Sequence, residues 1–177
     1  ARSAPDGHTI GMVISSHASN VSLHQKLPYD SIKDFKPITI VTRSPNVLSV
    51  HPSLPYKSLD EVIAAAKAKP GELVFASSGN GTAQHFAAAY LMLAKDFQMV
   101  HVPYRGAGPA LNDLVGGQVK IGILNIASSL PHIRAERIRP LAVTSEKRNS
   151  ALPDVPSMSE TVPGFESRIW WGIFAAP

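Results

Sequence analysis

The sequence contains no cysteine, which excludes a disulfide framework and zinc–thiolate centres and leaves the compartment open. Charge is sparse and mixed in sign: 17 Lys and Arg stand against 13 Asp and Glu, a formal net charge of +4. The densest basic run, "RAERIR" from Arg134 to Arg139, is interrupted by Glu136. Aromatic residues are 7% of the chain and do not interleave with the basic ones, so nucleic acid is not an expected partner. What remains is a solvated surface, or a weak field that attracts small anions. No apolar run approaches the roughly 20 residues that span a bilayer, so no direct membrane insertion is expected. The seven histidines, at 8, 17, 24, 51, 85, 101 and 132, include no i, i+4 pair and have no carboxylate at ligand spacing. No metal site and no cofactor are expected from them.

What is present is an ordinary globular composition, 44% apolar over 177 residues, enough for one well-buried domain or for parts of two. The opening residues read as a turn at Pro5–Gly7 feeding a strand over 9–14. A chain that opens on a loop inside a sheet reads as an excerpt, with further residues expected at both ends. Ser58 and Glu61 form a capping box for a helix that Pro70-Gly71 ends. The spacing then predicts strands over 72–77, 98–104 and 119–125, and another at "RPLAVTS". Helices are predicted over 82–95, at "GPALNDLVGG" and at "SSLPHIRAERI". In the first of these Phe86, Tyr90 and Leu93 recur at i, i+4 and i+7, the spacing of a buried stripe. Alternation of this kind implies βαβ units, with a mostly parallel sheet flanked by helices. The flanks differ: Lys36–Pro52 reads as two β segments broken at Ser44-Pro45-Asn46, and "FESRIWWGIFAAP" as a lone aromatic strand. An echo between "LPYDSIKDF" and "LPYKSLDEV" reads as chance plus shared helix-start chemistry.

The chemistry concentrates in small, polar turns at strand ends. Ser77, Ser78, Gly79, Asn80, Gly81 and Thr82 lie where a strand hands over to a helix. Glycines there let backbone N–H groups converge, and the first N–H groups of a helix lack internal partners. The turn serves either as a plain connector with Thr82 as N-cap or as an anion cradle. It suits a carboxylate better than a triphosphate, because the Walker lysine is absent. A second such turn, "VPYRGAGPALNDL", places Gly106 to Gly108 before a helix opened by Pro109 and supplies Arg105 for bidentate pairing. Both turns would open at the carboxyl edge of one sheet, where ligands of open α/β sheets collect. "LNIASS", with Asn125, and "ISSHASN", Ile14 to Asn20, are two further turns of this type. A rival reading makes Ser77 or Ser78 a nucleophile with His85 as base, but the Gly-x-Ser-x-Gly elbow is absent. A third is a protein-interaction module without a ligand.

The motifs "APDGHTI", "KDFKPITIV", "SPNVLSVHPSLPYKS", "FASSGNGTAQH", "VPYRGAGPALNDLVGGQV", "LPHIRAERIRPLAVTS", "LPDVPSM" and "PGFES" with "WWG" occur in an order covering nearly the whole chain. They resemble the tripartite tricarboxylate transporter receptors, the TctC or Bug-type periplasmic solute-binding proteins. The resemblance implies an α/β fold of the periplasmic-binding-protein type, the two-domain Venus flytrap. Residues 1–50 would be a partial first domain, 51–166 a complete second domain, and 167–177 the return crossing. It implies a non-enzymatic periplasmic receptor that captures a small carboxylate and delivers it to membrane permease subunits. Carried over by position, the ligand contacts would be Ser77, Ser78, Gly79, Asn80, Gly81, Thr82 and His85, with Tyr104, Arg105, Gly106 and Pro109. Asn125 would join them, and Ser15, Ser16 and Asn20 would serve the first-domain loop. The family's first strand and loop, and its C-terminal helices, would lie outside this chain.

Overall fold

A computed structural model describes residues 2–177. The chain divides into two compact units, Ala1–Ser44 with Ile169–Pro177, and Pro45–Arg168. Strand β2 (Lys36–Val50) runs through the first division and strand β7 (Arg168–Ala175) starts at the second. The expected break at Ser44-Pro45-Asn46 is absent, and one strand continues through it. Proline fixes a φ compatible with an extended chain and pushes its predecessor toward the β region, so "SP" reads as strand as readily as turn.

In the first unit β1 (Ile10–Ile14) pairs antiparallel with β7, from Ile10 opposite Ala175 to Ile14 opposite Trp171. Helix α1 (Ser16–Leu23) follows at once. His17 stacks on Tyr29 at 5.9 Å and meets the edge of Phe35 at 4.8 Å, forming a small aromatic cluster with Phe174. The expected polar turn at Ile14–Asn20 is therefore a helix start. It holds neither glycine nor proline to interrupt winding, and Ser15 occupies the N-cap position in a helical conformation, without a side-chain cap bond.

The second unit holds a mixed sheet in the order β6-β2-β5-β3-β4. Its strands are the carboxyl half of β2, β3 (Val74–Ser77), β4 (Val100–Pro103), β5 (Ile121–Asn125) and β6 (Arg139–Val143). β3 is parallel to β4 and to β5, while β2 is antiparallel to β5 and β6. Helices α2 (Leu59–Ala68), α3 (Ala83–Lys95), α4 (Ala107–Val115) and α5 (Ile126–Arg134) cover the sheet. Side-chain alternation along the strands sorts the two faces. Leu48, Val50, Phe75, Ile121 and Ile123 pack with Leu59, Val62, Ala88 and Leu91 of α2 and α3. Ala76 and Leu124 pack on the other face with Ala110, Leu111 and Leu114 of α4. Each fully buried Leu, Ile or Phe contributes about 1.5–3 kcal/mol, so these two layers carry the unit's stability.

The helices start where their caps stand. The Ser58 hydroxyl accepts from the Glu61 N–H at 3.2 Å, and the Glu61 carboxylate accepts from the Lys57 N–H at 2.7 Å. In α3 the buried face is Gln84, Ala87, Ala88 and Leu91, whereas Phe86, Tyr90 and Leu93 are 40%, 45% and 82% exposed. The expected stripe lay on the wrong side. Alanines let a helix approach the sheet closely, and the larger residues stay outside, Tyr90 lying flat on Phe165 at 5.1 Å. α4 begins at Ala107 with Gly106 as N-cap, so Pro109 falls inside its first turn rather than opening it. α5 starts directly after β5, so the expected "LNIASS" turn is also a helix start, capped by Asn125. The two halves of the sequence echo differ in structure: the first forms turns, and the second leads into α2.

Candidate ligand-binding site

Because β3, β4 and β5 are parallel, the segments after them emerge at one edge of the second unit's sheet. The segments after β3 and β4 are tied together there. Tyr104 N–H donates to the Ser77 carbonyl, and Gly106 N–H donates to the Ser78 carbonyl, both at 3.1 Å. Gly79, at φ +134°, passes so close that a Cβ on it would sit 3.1 Å from the Tyr104 carbonyl oxygen. The two glycine turns are thus fastened to each other.

Several N–H groups of these turns serve the turns themselves. Gly79 N–H donates to Ser77 Oγ at 3.1 Å, and Gly81 N–H donates to His85 Nδ1 at 3.2 Å. The Thr82 hydroxyl donates to the Gly79 carbonyl at 2.8 Å and accepts from the His85 N–H at 3.4 Å. The N–H groups that open α3 and α4 have no intrahelical acceptor and lie at the positive ends of the helix dipoles; of these, that of His85 is already bonded to Thr82. The Ser78 hydroxyl is buried and has no hydrogen-bond partner among the described residues.

Behind the turn stands a stack of rings. His101 lies against Phe75 at 4.9 Å and His85 at 4.0 Å, and its Nε2 is 2.6 Å from Ser77 Oγ. Burial, then the neighbouring His85, pushes the His101 pKa down to about 4. Burial also lowers that of His85. Both rings are therefore neutral near pH 7, and the Gly81 bond to Nδ1 leaves the His85 ring proton on Nε2. The histidine paired with a serine is His101, not His85. Ser77 is fully buried, which denies it the access that a nucleophile requires.

The remaining expected contacts are spread more widely. Tyr104 turns its hydroxyl away to donate to Asp113 at 2.8 Å, and burial, then Asp113, pushes its pKa up to about 12. Arg105 and Asn80 are exposed on the same loops, and Pro109 is exposed in the first turn of α4. The Asn125 side-chain oxygen caps α5, accepting from the Ala127 N–H at 3.0 Å. Ser15, Ser16 and Asn20 belong to the first unit. Ser15 N–H donates to the Trp170 carbonyl at 3.1 Å, and Asn20 sits inside α1 with its amide donating to Tyr29 at 3.4 Å. Among the described residues, no group of three His, Asp or Glu side chains could hold a metal ion, and no helix is long and apolar enough to cross a membrane.

A family model described as "Tripartite tricarboxylate transporter family receptor" matches residues 1–177. The chain belongs to this receptor family. It is 38% identical over 178 residues to the protein BugT of Bordetella pertussis, covering 99% of this chain and 55% of BugT. A solved structure described as "R. palustris Rpa4515 with adipate" superposes with a TM-score of 0.93 at 35% identity, over 99% of this chain and 59% of that one. MatC of Rhodopseudomonas palustris with bound malate superposes with a TM-score of 0.88 at 32% identity, over 98% of this chain and 60% of that one. These superpositions establish the α/β periplasmic-binding-protein fold. The chain spans about half the length of the curated relatives it matches.

Sequence reasoning missed part of what this receptor-family chain places at the sheet edge. Asn46 N–H donates to Thr144 Oγ1 at 2.8 Å, and Thr144 Oγ1 donates to the Ser167 carbonyl at 2.5 Å. Ser167 Oγ in turn donates to the Ala83 carbonyl, in the first turn of α3, at 3.3 Å. The next residue, Gln84, is buried. The available signals were an asparagine opening an apolar strand and a glutamine on the inward face of a helix. Reading Ser44–Asn46 as a break, and Phe86, Tyr90 and Leu93 as the inward face, hid both.

Proposed function

We propose that the protein is an extracytoplasmic receptor that captures a small carboxylate for a tripartite tricarboxylate-type transporter, without chemical turnover. The observation that carries this reading is the pair of glycine turns fastened at the carboxyl edge of parallel strands. The helix N-termini of α3 and α4 open there, beside the buried Ser78 hydroxyl. Such a place favours an anion through N–H donors and helix dipoles, each of the latter contributing about 0.3–1 kcal/mol. Family membership and the adipate and malate held by solved relatives support the carboxylate. The net charge of +4 adds a long-range attraction for anions.

In this reading Ser77 and Thr82 shape the turn, and Ser78, Asn80 and the first-turn N–H groups of α3 face the carboxylate. The His85 Nε2 proton and Arg105 supply further donors. The Ser–His hydrolase reading fails on specific points: Ser77 is fully buried and paired with His101, and the Ser78 hydroxyl has no hydrogen-bond partner among the described residues, so His85 activates neither serine. Permease subunits are the expected delivery partners, and the periplasm is the expected compartment.

The test is titration calorimetry of the protein produced from its complete reading frame. The panel comprises unsubstituted dicarboxylates, hydroxy-dicarboxylates, tricarboxylates and acidic amino acids. At least one should bind at micromolar concentration, and Ser78→Ala should weaken it about 5- to 10-fold. Absence of heat with every carboxylate, or release of a hydrolysis product, would refute the proposal.

A further inference from the structure

One row of polar side chains lies inside the protein, at the sheet edge, on the face that α3 covers. Along β2, Leu48 and Val50 point toward α2 and α3, so strand alternation puts Asn46 on that face too. On β5, Ile121 and Ile123 likewise place Asn125 there, and Asn125 is the register partner of Asn46. Thr144, hydrogen-bonded to Asn46, extends the row on one side. Gln84 faces the sheet from the first turn of α3.

Asn46 and Gln84 are 0% and 2% exposed. Both side-chain atoms of Asn46, Oδ1 and Nδ2, and the Oε1 of Gln84 have no hydrogen-bond partner among the described residues. Buried polar groups are nearly always paired, because leaving one unpaired carries the whole desolvation penalty. Three such atoms, in two residues linked through Thr144, Ser167 and Ala83, are a concentration that packing does not explain. They lie beside the α3 N-terminus, where the carboxylate is assigned above.

The chemistry of the three atoms specifies what they fit. Asn46 Nδ2 donates, which a carboxylate oxygen can accept. Asn46 Oδ1 and Gln84 Oε1 only accept, and an ionised carboxylate has no hydrogen to offer them. A ligand that satisfies the set must carry a hydroxyl or ammonium N–H beside its carboxylate. We infer that Asn46 and Gln84 form a polar floor that selects carboxylates bearing an adjacent hydrogen-bond donor, hydroxy acids or amino acids, over unsubstituted ones. This rests on the carboxylate-receptor reading and narrows its substrate class.

The experiment uses the full-length protein, matched pairs of probes and two near-isosteric variants. The probes are succinate against malate, and glutarate against 2-hydroxyglutarate and glutamate. At least one donor-bearing probe should bind about 5- to 100-fold more tightly than its plain counterpart, since a site built around a hydrogen bond rejects the analogue that lacks it. Gln84→Met should abolish or sharply reduce that ratio, weakening the donor-bearing probe more than its plain counterpart. Asn46→Leu should weaken every acid that binds. Without ligand, both variants should melt at or above the parent's temperature, because each removes an unpaired buried polar group. Equal binding within every pair, or an unchanged ratio in Gln84→Met, would overturn the inference and leave the receptor reading standing. Ligand-free variants that melt several degrees lower would also overturn it, assigning the amides to the fold's own hydrogen bonding. Silence of the parent toward the probes and all other carboxylates would overturn both.

Discussion

Gly79→Ala, set against Gly71→Ala, isolates the close approach of the two glycine turns. Gly71 has φ +79° and nothing within 4 Å of a built Cβ, so alanine there meets only the left-handed backbone penalty. That penalty is about 1–2 kcal/mol. Gly79 has φ +134°, beyond the left-handed helical region, and its Cβ would stand 3.1 Å from the Tyr104 carbonyl oxygen. That oxygen has little freedom to retreat, because the Tyr104 and Gly106 N–H groups are bonded to the Ser77 and Ser78 carbonyls. Backbone strain near the top of its usual range, with part of a kilocalorie from the contact, gives about 3–4 kcal/mol. Urea unfolding followed by far-ultraviolet circular dichroism should show both midpoints lowered, that of Gly79→Ala by roughly 1 M more at ordinary m-values. Calorimetry should show weakened carboxylate binding in Gly79→Ala alone, since only that change separates the turns. Equal destabilisation by the two alanines would refute the argument that the turns are held together through Gly79.

Three further expectations follow from the same interior. Burial keeps the folded His101 pKa at about 4 against 6.5 in the unfolded chain. Between these values the unfolded chain binds the proton, so this contribution to stability is complete above pH 6.5 and is lost as pH falls toward 4. Discounted for partial exposure it amounts to about 1–2 kcal/mol, and His101→Phe should flatten the urea midpoint between pH 4 and 6.5. Thr144→Val removes the acceptor of the Asn46 N–H and the donor to the Ser167 carbonyl; it should cost about 2–4 kcal/mol in thermal unfolding, and Thr144→Ser less than 1. Of the four tyrosines, Tyr104 should ionise near pH 12 in absorbance titration, and Tyr104→Phe should delete that late step. Its Asp113 bond should be worth about 1 kcal/mol, and an unchanged titration curve would refute the assignment.

The sequence was most legible where backbone preferences act over a few residues. Ser58 and Thr82 mark helix starts because a hydroxyl there accepts the N–H three residues on. Glycines at 79, 81 and 106 mark backbone conformations that other residues rarely adopt. Alternating elements led to an α/β sheet with polar turns at one edge, and two of the four expected turns are indeed loops. The other two became α1 and the first turn of α5, because serine and asparagine are as much helix-start residues as turn residues.

Tertiary structure decided what depends on partners distant in sequence. Periodicity identified a helix over α3 but not its inward face, because a sheet surface that admits a helix closely accepts alanine and excludes Phe86 and Tyr90. Asn46 is a polar residue in an apolar strand until Thr144, 98 positions away, meets its backbone N–H. The Ser77–His101 pair likewise requires β3 and β4 to lie parallel and in register. Local sequence determined the turns and the places where helices begin. The buried row of polar side chains, in which Asn46 and Gln84 carry the unpaired amide atoms, exists only because non-local pairing brings Asn46, Thr144, Asn125 and Gln84 to one face of one sheet.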